Sequence, residues 1–175
     1  MLFRSPGSGG WLLVAVQGLH RFYRGRSEDV IASWMTRQDR ELAIADNLAY
    51  VGSVVDAVVR ESWTSTPLVF AGFSQGVAMA FRAACRSSRP VAGVIAAGGD
   101  VPPELGREAL GRIPAVVLAR GARDEWYSPA KWAQDQSRLR EARVHVREFD
   151  FEGAHEWNAD VCRAAGEFLQ RLTPS

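Results

Sequence analysis

Cysteine is scarce: Cys85 and Cys162 are the only two in 175 residues. Two thiols cannot staple a small disulfide scaffold, and their separation matches no metal-site spacing. The expectation is a pair of free thiols in a reducing compartment, hence a cytoplasmic location. Charge of one sign is also lacking, with 21 Lys and Arg against 20 Asp and Glu and a net charge of +1. That balance leaves no electrostatic footprint for nucleic acid or an anionic membrane surface. Histidine occurs three times, at His20, His145 and His155, too scattered for a ligand set, so no metal is expected. The apolar run near the start, Trp11 to Val16, falls far short of the roughly 20 residues of a membrane span. Gly and Ser precede it in place of a charged segment, so neither a leader nor a membrane span is expected. No internal repeat and no low-complexity segment is present. No G-x-G-x-x-G opens a helix after a strand, which excludes a dinucleotide fingerprint, and no cofactor is expected.

What is present is a core. The chain is 47% hydrophobic and 23% charged, enough to bury an interior and about the length of one domain, read as 1–175. Short apolar runs alternate with longer amphipathic stretches. Trp11–Val16, Pro67–Ala71, Val91–Ala97 and Ile113–Ala119 are continuous runs, the mark of strands covered on both faces. Arg143–Phe149 alternates instead, as a half-exposed edge strand does. Ile44, Leu48, Val51, Val55, Val58 and Val59 recur at helical spacing. Gln75–Ala84 is an Ala-rich helix, and Pro129–Leu139 opens with Ser128 as N-cap and Pro at the first helical position. Trp157, Val161, Ala164, Ala165, Phe168 and Leu172 form one face of a last helix. Strands alternating with helices predict an α/β fold, a mostly parallel sheet of about five or six strands with helices on both faces. Residues 20–43, with Val30–Trp34 as a short strand, read as an irregular excursion.

One motif carries chemistry: Gly72-Phe73-Ser74-Gln75-Gly76, a G-x-S-x-G. The pattern needs a strand that ends abruptly, a Ser on a strained turn and a helix that starts at once. Small residues two before and two after the Ser let strand and helix approach. Chance supplies about 0.1 such matches in a chain of this composition, so context decides. Here an apolar run precedes the motif and an Ala-rich helix follows it. A nucleophilic Ser needs a base. His145 lies within an alternating strand and His20 follows the first apolar run. His155 sits in a loop after the last strand, at the edge of a parallel sheet where function collects. The third member must be a carboxylate that sets the imidazole tautomer. Asp124 follows the fourth apolar run and Asp100 the third, while Asp150 and Glu152 lie close to His155 in sequence. The order Ser74, Asp124, His155 favours Asp124. Oxyanion donors would be the backbone N–H groups of Gln75, after the nucleophile, and of Leu19, in the Gln17-Gly18-Leu19 turn. His20, Trp126, Tyr127 and Trp157 are candidate substrate contacts, with Trp34 a further candidate wall.

These pieces resemble the α/β-hydrolase superfamily, and within it the phospholipase/carboxylesterase branch that includes acyl-protein thioesterase-like enzymes. Gly72-Phe-Ser-Gln-Gly76, the Gly18-Leu19 turn, Gly121 with Asp124, and Gly153-Ala-His155-Glu-Trp157 carry the resemblance, from about residue 11 to 172. It implies a reduced α/β-hydrolase fold with no separate lid domain. It also implies an esterase with Ser74, Asp124 and His155 as triad and Leu19 and Gln75 as oxyanion donors, acting on a small-molecule ester of small or medium acyl chain. A lysophospholipase, an acyl-protein thioesterase or a catalytically silent binding fold are the alternatives. The chain departs from the family where Gln17-Gly18 replaces the usual His-Gly, in residues 20–43, and in the lack of a visible antiparallel hairpin before Trp11.

Overall fold

The computed structural model describes residues 1–4, 10–62 and 68–172. Four strands form the parallel centre: β5 (Leu68–Phe73), β6 (Val91–Ala97), β7 (Ala115–Gly121) and β8 (His145–Phe151). Their order in the sheet is their order in the chain. Each crossover carries a helix: α2 (Gln75–Arg86), the short α3 (Arg107–Leu110) and α4 (Pro129–Glu141). A long helix, α1 (Arg40–Ser62), precedes β5, and α5 (Ala159–Arg171) closes the chain. The Leu68-Val-Phe70 run shows why the central strands are continuously apolar. Leu68 and Phe70 pack on the face that carries α1, α2 and α4, while Val69 packs on the opposite face under α5. Val94, Ile95 and Ala96 repeat this alternation on β6, and Val116, Val117 and Leu118 on β7. The alternating strand β8 is the sheet edge, as its pattern requires. Ser128 caps α4 by accepting from the Lys131 N–H, and Asn158 caps α5 by accepting from Asp160 and Val161. Residue Pro67 of the second apolar run lies outside the described residues.

The N-terminal reading is corrected in two ways. An antiparallel hairpin does precede residue 16: β1 (Leu2–Arg4) pairs with β2 (Trp11–Leu13) and then with β5, so the sheet runs β2-β1-β5-β6-β7-β8. Three residues are too few to show alternation, which is why β1 left no pattern. The Trp11–Val16 run is accordingly no buried central strand. It is a three-residue edge strand with Leu13 69% exposed, and Val14 and Val16 pack beyond its end on the core. Residues 20–43 are more regular than expected, holding β3 (His20–Tyr23) and β4 (Val30–Ser33) paired as a separate antiparallel hairpin. Over Arg40–Glu61, α1 is long and apolar enough to cross a bilayer by length and composition alone. Here its Val51 and Val55 stripe is buried in the core. Cys85 is buried and Cys162 exposed, and both are free thiols.

Candidate active site

β5 ends at Phe73, and α2 begins at Gln75. Ser74 between them has φ 53° and ψ −121°, a backbone conformation that L-residues with a Cβ rarely adopt. The strain is held on both sides: the Ser74 N–H donates to the Ala97 carbonyl at the end of β6, and the Ser74 carbonyl accepts from the Val77 N–H. The two glycines that flank this turn are not equivalent. A Cβ on Gly72 would lie 2.3 Å from the Gly76 carbonyl oxygen, so only glycine fits there. A Cβ on Gly76 would meet nothing nearer than Trp34 Nε1 at 3.7 Å.

The loops after β7 and β8 bring the other two residues to Ser74. Ala122 and Arg123 donate to the carbonyls of Phe151 and Gly153, which ties one loop to the other. Gly121 permits this approach, since a Cβ there would lie 2.2 Å from the Ala154 carbonyl oxygen. His155 Nε2 lies 2.9 Å from Ser74 Oγ, and His155 Nδ1 lies 2.8 Å from Asp124 Oδ2. The second Asp124 oxygen accepts the N–H groups of Trp126 and Tyr127, each at 2.9 Å. Burial pushes the Asp124 carboxyl up. The Tyr127 N–H, the His155 ring and the Trp126 N–H outweigh it and hold the group below its ordinary value. An ionised Asp124 takes the Nδ1–H of His155, which leaves Nε2 to accept the Ser74 proton. Phe73 supports the imidazole with ring centroids 4.8 Å apart. Gly98, at φ +62°, lies beneath the pair: a Cβ there would sit 3.3 Å from both Asp124 Oδ2 and His155 Cε1.

The remaining acid, base and substrate-contact candidates stand outside the Ser74–His155–Asp124 line, and of them only Asp100 and Trp126 reach the Ser74 cavity. Asp100 lines the Ser74 cavity but faces Lys131 Nζ at 3.5 Å. Asp150 pairs with Arg120, and Glu152 with Arg123. His145 is exposed at the start of β8, and His20 lies on β3 beside Asp39 and Asp46 in a different hollow. Trp126, 75% exposed, lines the Ser74 cavity, with its ring 6.4 Å from that of His155. Trp157 and Trp34 line an apolar cavity of about 330 Å³ together with Gly72, Phe73, Gly76 and Met79. Tyr127 is corrected: it is 1% exposed, and its hydroxyl donates to the buried Asp135, so it braces the acid loop from below.

Leu19 is corrected as well. Its N–H donates to Asn47 Oδ1 at 3.0 Å and is not offered to Ser74. Gly18 is small because a Cβ there would lie 2.6 Å from the Ser33 carbonyl oxygen, a packing reason and not a positive φ. Sequence reasoning missed Asn47. Fully buried on α1, it also donates to the carbonyls of Trp34 and Ala43. Its signal was a polar residue three after Ile44 and four before Val51, inside the apolar stripe. The Gln75 side chain was missed too. Its carbonyl oxygen accepts from the Ser33 hydroxyl and the Trp34 N–H, and its amide donates to the Met35 carbonyl. It therefore pins residues 33–35 beside the Ser74 turn.

A parallel sheet with a serine elbow, an acid loop after its third parallel strand and a histidine loop after its fourth defines the α/β-hydrolase class. Within it, the chain belongs to the phospholipase/carboxylesterase family, whose profile matches residues 29–173. That match begins after the Gly18-Leu19 turn. A comparison with curated protein sequences finds no match. Among solved structures, Arabidopsis thaliana SOBER1 is similar at 17% identity and TM-score 0.66, over 82% of this chain and 75% of that one. The Bacillus cereus carboxylesterase is similar at 16% identity and TM-score 0.65, over 83% and 70%. Acyl-protein thioesterase 2 of Zea mays is similar at 17% and 0.58, over 80% and 74%. At these identities the likeness is one of fold. Family and fold together indicate a hydrolase of the esterase or thioesterase type.

Proposed function

We propose that this protein is a serine hydrolase that cleaves carboxylic esters of small or medium acyl chain through an acyl-enzyme on Ser74. The observation that carries the reading is the continuous hydrogen-bond line from Asp124 through His155 to Ser74 Oγ. Ser74 Oγ attacks the ester carbonyl carbon while its proton passes to His155 Nε2, and Asp124 stabilises the imidazolium. The tetrahedral intermediate collapses, the C–O bond to the alcohol breaks, and His155 returns the proton to the leaving oxygen. Water then attacks the acyl-enzyme with His155 again as base, and releases the acid and free Ser74. The Gln75 N–H at the start of α2 is one oxyanion donor. With the Leu19 N–H engaged by Asn47 and the Met35 N–H by the Ser33 hydroxyl oxygen, the second donor is assigned to the Thr36 N–H, next to Met35 on the segment that lines the Ser74 cavity and is tethered by Gln75. The apolar cavity of about 330 Å³ behind the elbow is of the size that holds small ligands and suits the acyl chain.

A neutral fluorophosphonate probe tests the reading. Wild type should be labelled stoichiometrically and hydrolyse 4-nitrophenyl esters of two to eight carbons. Ser74→Ala should stay folded and lose both. Labelling that persists in Ser74→Ala would remove Ser74 from its role.

A further inference from the structure

The Ser74 cavity, about 530 Å³ in volume, is not lined as a site for a neutral ester would be. Arg37, Arg40, Arg82 and Lys131 all reach its wall, in a chain whose net charge is only +1. Two carboxylates stand against these four cations. Asp100 faces Lys131 at 3.5 Å, and Glu104 accepts from Arg82 Nε at 2.6 Å. Among the described residues Arg37 takes no carboxylate partner. Arg82 is 2% exposed, and its Nη1 finds only the sulfurs of Met35 and Met79, at 3.7 and 4.0 Å. Arg40 Nη1 donates to the same Met35 sulfur. Two guanidinium groups thus converge on one thioether, a weak acceptor. Both also act on Glu104. Burial pushes its carboxyl up, but the Arg82 hydrogen bond, with Arg40 adding at longer range, holds it below its ordinary value. Like charges so placed repel each other, and thioether sulfurs do little to offset that repulsion. An anion in the cavity would relieve that repulsion and offer the guanidinium groups a stronger acceptor.

We propose that the ester carries an anionic group, carboxylate or phosphate, which Arg37, Arg40 and Arg82 receive beside Ser74. The proposal rests on Ser74 being the nucleophile. The apolar cavity lined by Gly72 and Phe73 and the cationic cavity lined by Ser74 and Gln75 then take the two ends of one substrate. Planar guanidinium forks suit either oxyanion through paired charge-assisted hydrogen bonds.

The test uses two matched esters that differ in charge on the alcohol side, 4-carboxyphenyl hexanoate and the neutral 4-carbamoylphenyl hexanoate, at fixed ionic strength. Wild type should favour the charged ester by about tenfold or more in kcat/KM, chiefly through KM. The preference should shrink in 0.5 M salt and fall toward parity in the Arg37→Gln/Arg40→Gln double variant, which leaves buried Arg82 in place. A parallel arm measures protection of Ser74 from the fluorophosphonate probe. Protection by adipate identifies a carboxylate, and protection by phenyl phosphate a phosphoryl group. No labelling and no turnover of either ester would refute the nucleophile reading. Labelling and turnover with no charged-ester preference and no protection by either anion would overturn the anion proposal alone. A preference that survives the double variant would overturn its assignment to these arginines.

Discussion

Replacing Gly72 and Gly76 one at a time by Ala separates two glycines that the motif treats alike. At Gly72 the added methyl would lie 2.3 Å from the Gly76 carbonyl oxygen, 2.4 Å from its carbon and 2.6 Å from the Val77 nitrogen. All three are backbone atoms of the first turn of α2, so no side chain can swing aside. Relief requires about 1 Å of separation between the end of β5 and α2, with Ser74 between them. Overpacking of this kind costs about 3 kcal/mol, the upper end of the usual range. For a chain of this length that lowers Tm by about 6–12 °C. On the proposed mechanism, a shift of about 1 Å at Ser74 should also cost on the order of 10² in kcat. At Gly76 the nearest atom would be 3.7 Å away, an ordinary contact, and Ala is the better helix former by up to about 1 kcal/mol. Gly76→Ala should therefore leave Tm unchanged or raise it by a few degrees. Differential scanning calorimetry and ester turnover on the two variants read both quantities. If Gly72→Ala matches wild type, or if Gly76→Ala is as damaging as Gly72→Ala, the packing argument for the elbow is wrong.

Gly98→Ala should lose activity out of proportion to stability. Its φ of +62° costs a Cβ residue about 1–2 kcal/mol, while the methyl presses on Asp124 and His155, so kcat should fall well over tenfold with a folded circular-dichroism spectrum. Asp124→Asn should cost on the order of 10⁴ in kcat by favouring the wrong tautomer of His155; a smaller effect than that of Asp100→Asn would point to the other carboxylate. The same variant tests a pH dependence. Because the folded pKa of Asp124 is depressed, its contribution to stability is complete above the unfolded value of about 3.9 and is lost as pH falls through the lower folded value. Urea melts should show the stability gap between wild type and Asp124→Asn narrowing below about pH 4, and a gap that widens there would contradict the sign. Asn47→Leu should destabilise by about 1–3 kcal/mol in the same assay by stranding the Leu19 N–H and the Trp34 carbonyl, whereas replacing the exposed Leu19 side chain should do little.

Local pattern carried much of this protein. β5, β6 and β7 were legible as unbroken apolar runs because both of their faces are covered, and β8 as an alternating run because it lies at the edge. The elbow was legible because Gly72, Ser74 and the helix start are adjacent in the chain. The loops that hold Asp124 and His155 follow strands whose ends all lie on one edge of a parallel sheet, so chain order alone placed these residues near Ser74. What stayed hidden depended on partners distant in sequence. β1 is a strand only because β2 and β5 lie on either side of it, and three residues carry no period of their own. Whether the Leu19 N–H was free to serve an oxyanion was decided by Asn47, 28 residues away on α1. Tyr127 looked like a pocket wall until Asp135 took its hydroxyl. Arg37, Arg40, Arg82 and Lys131 give no signal in a chain with balanced charge, and only the fold, which brings α2, α4 and the 35–40 segment to one cavity, gathers them. Periodicity is a property of neighbours along the chain. Which donor is already engaged, and where charge accumulates, are properties of neighbours in space.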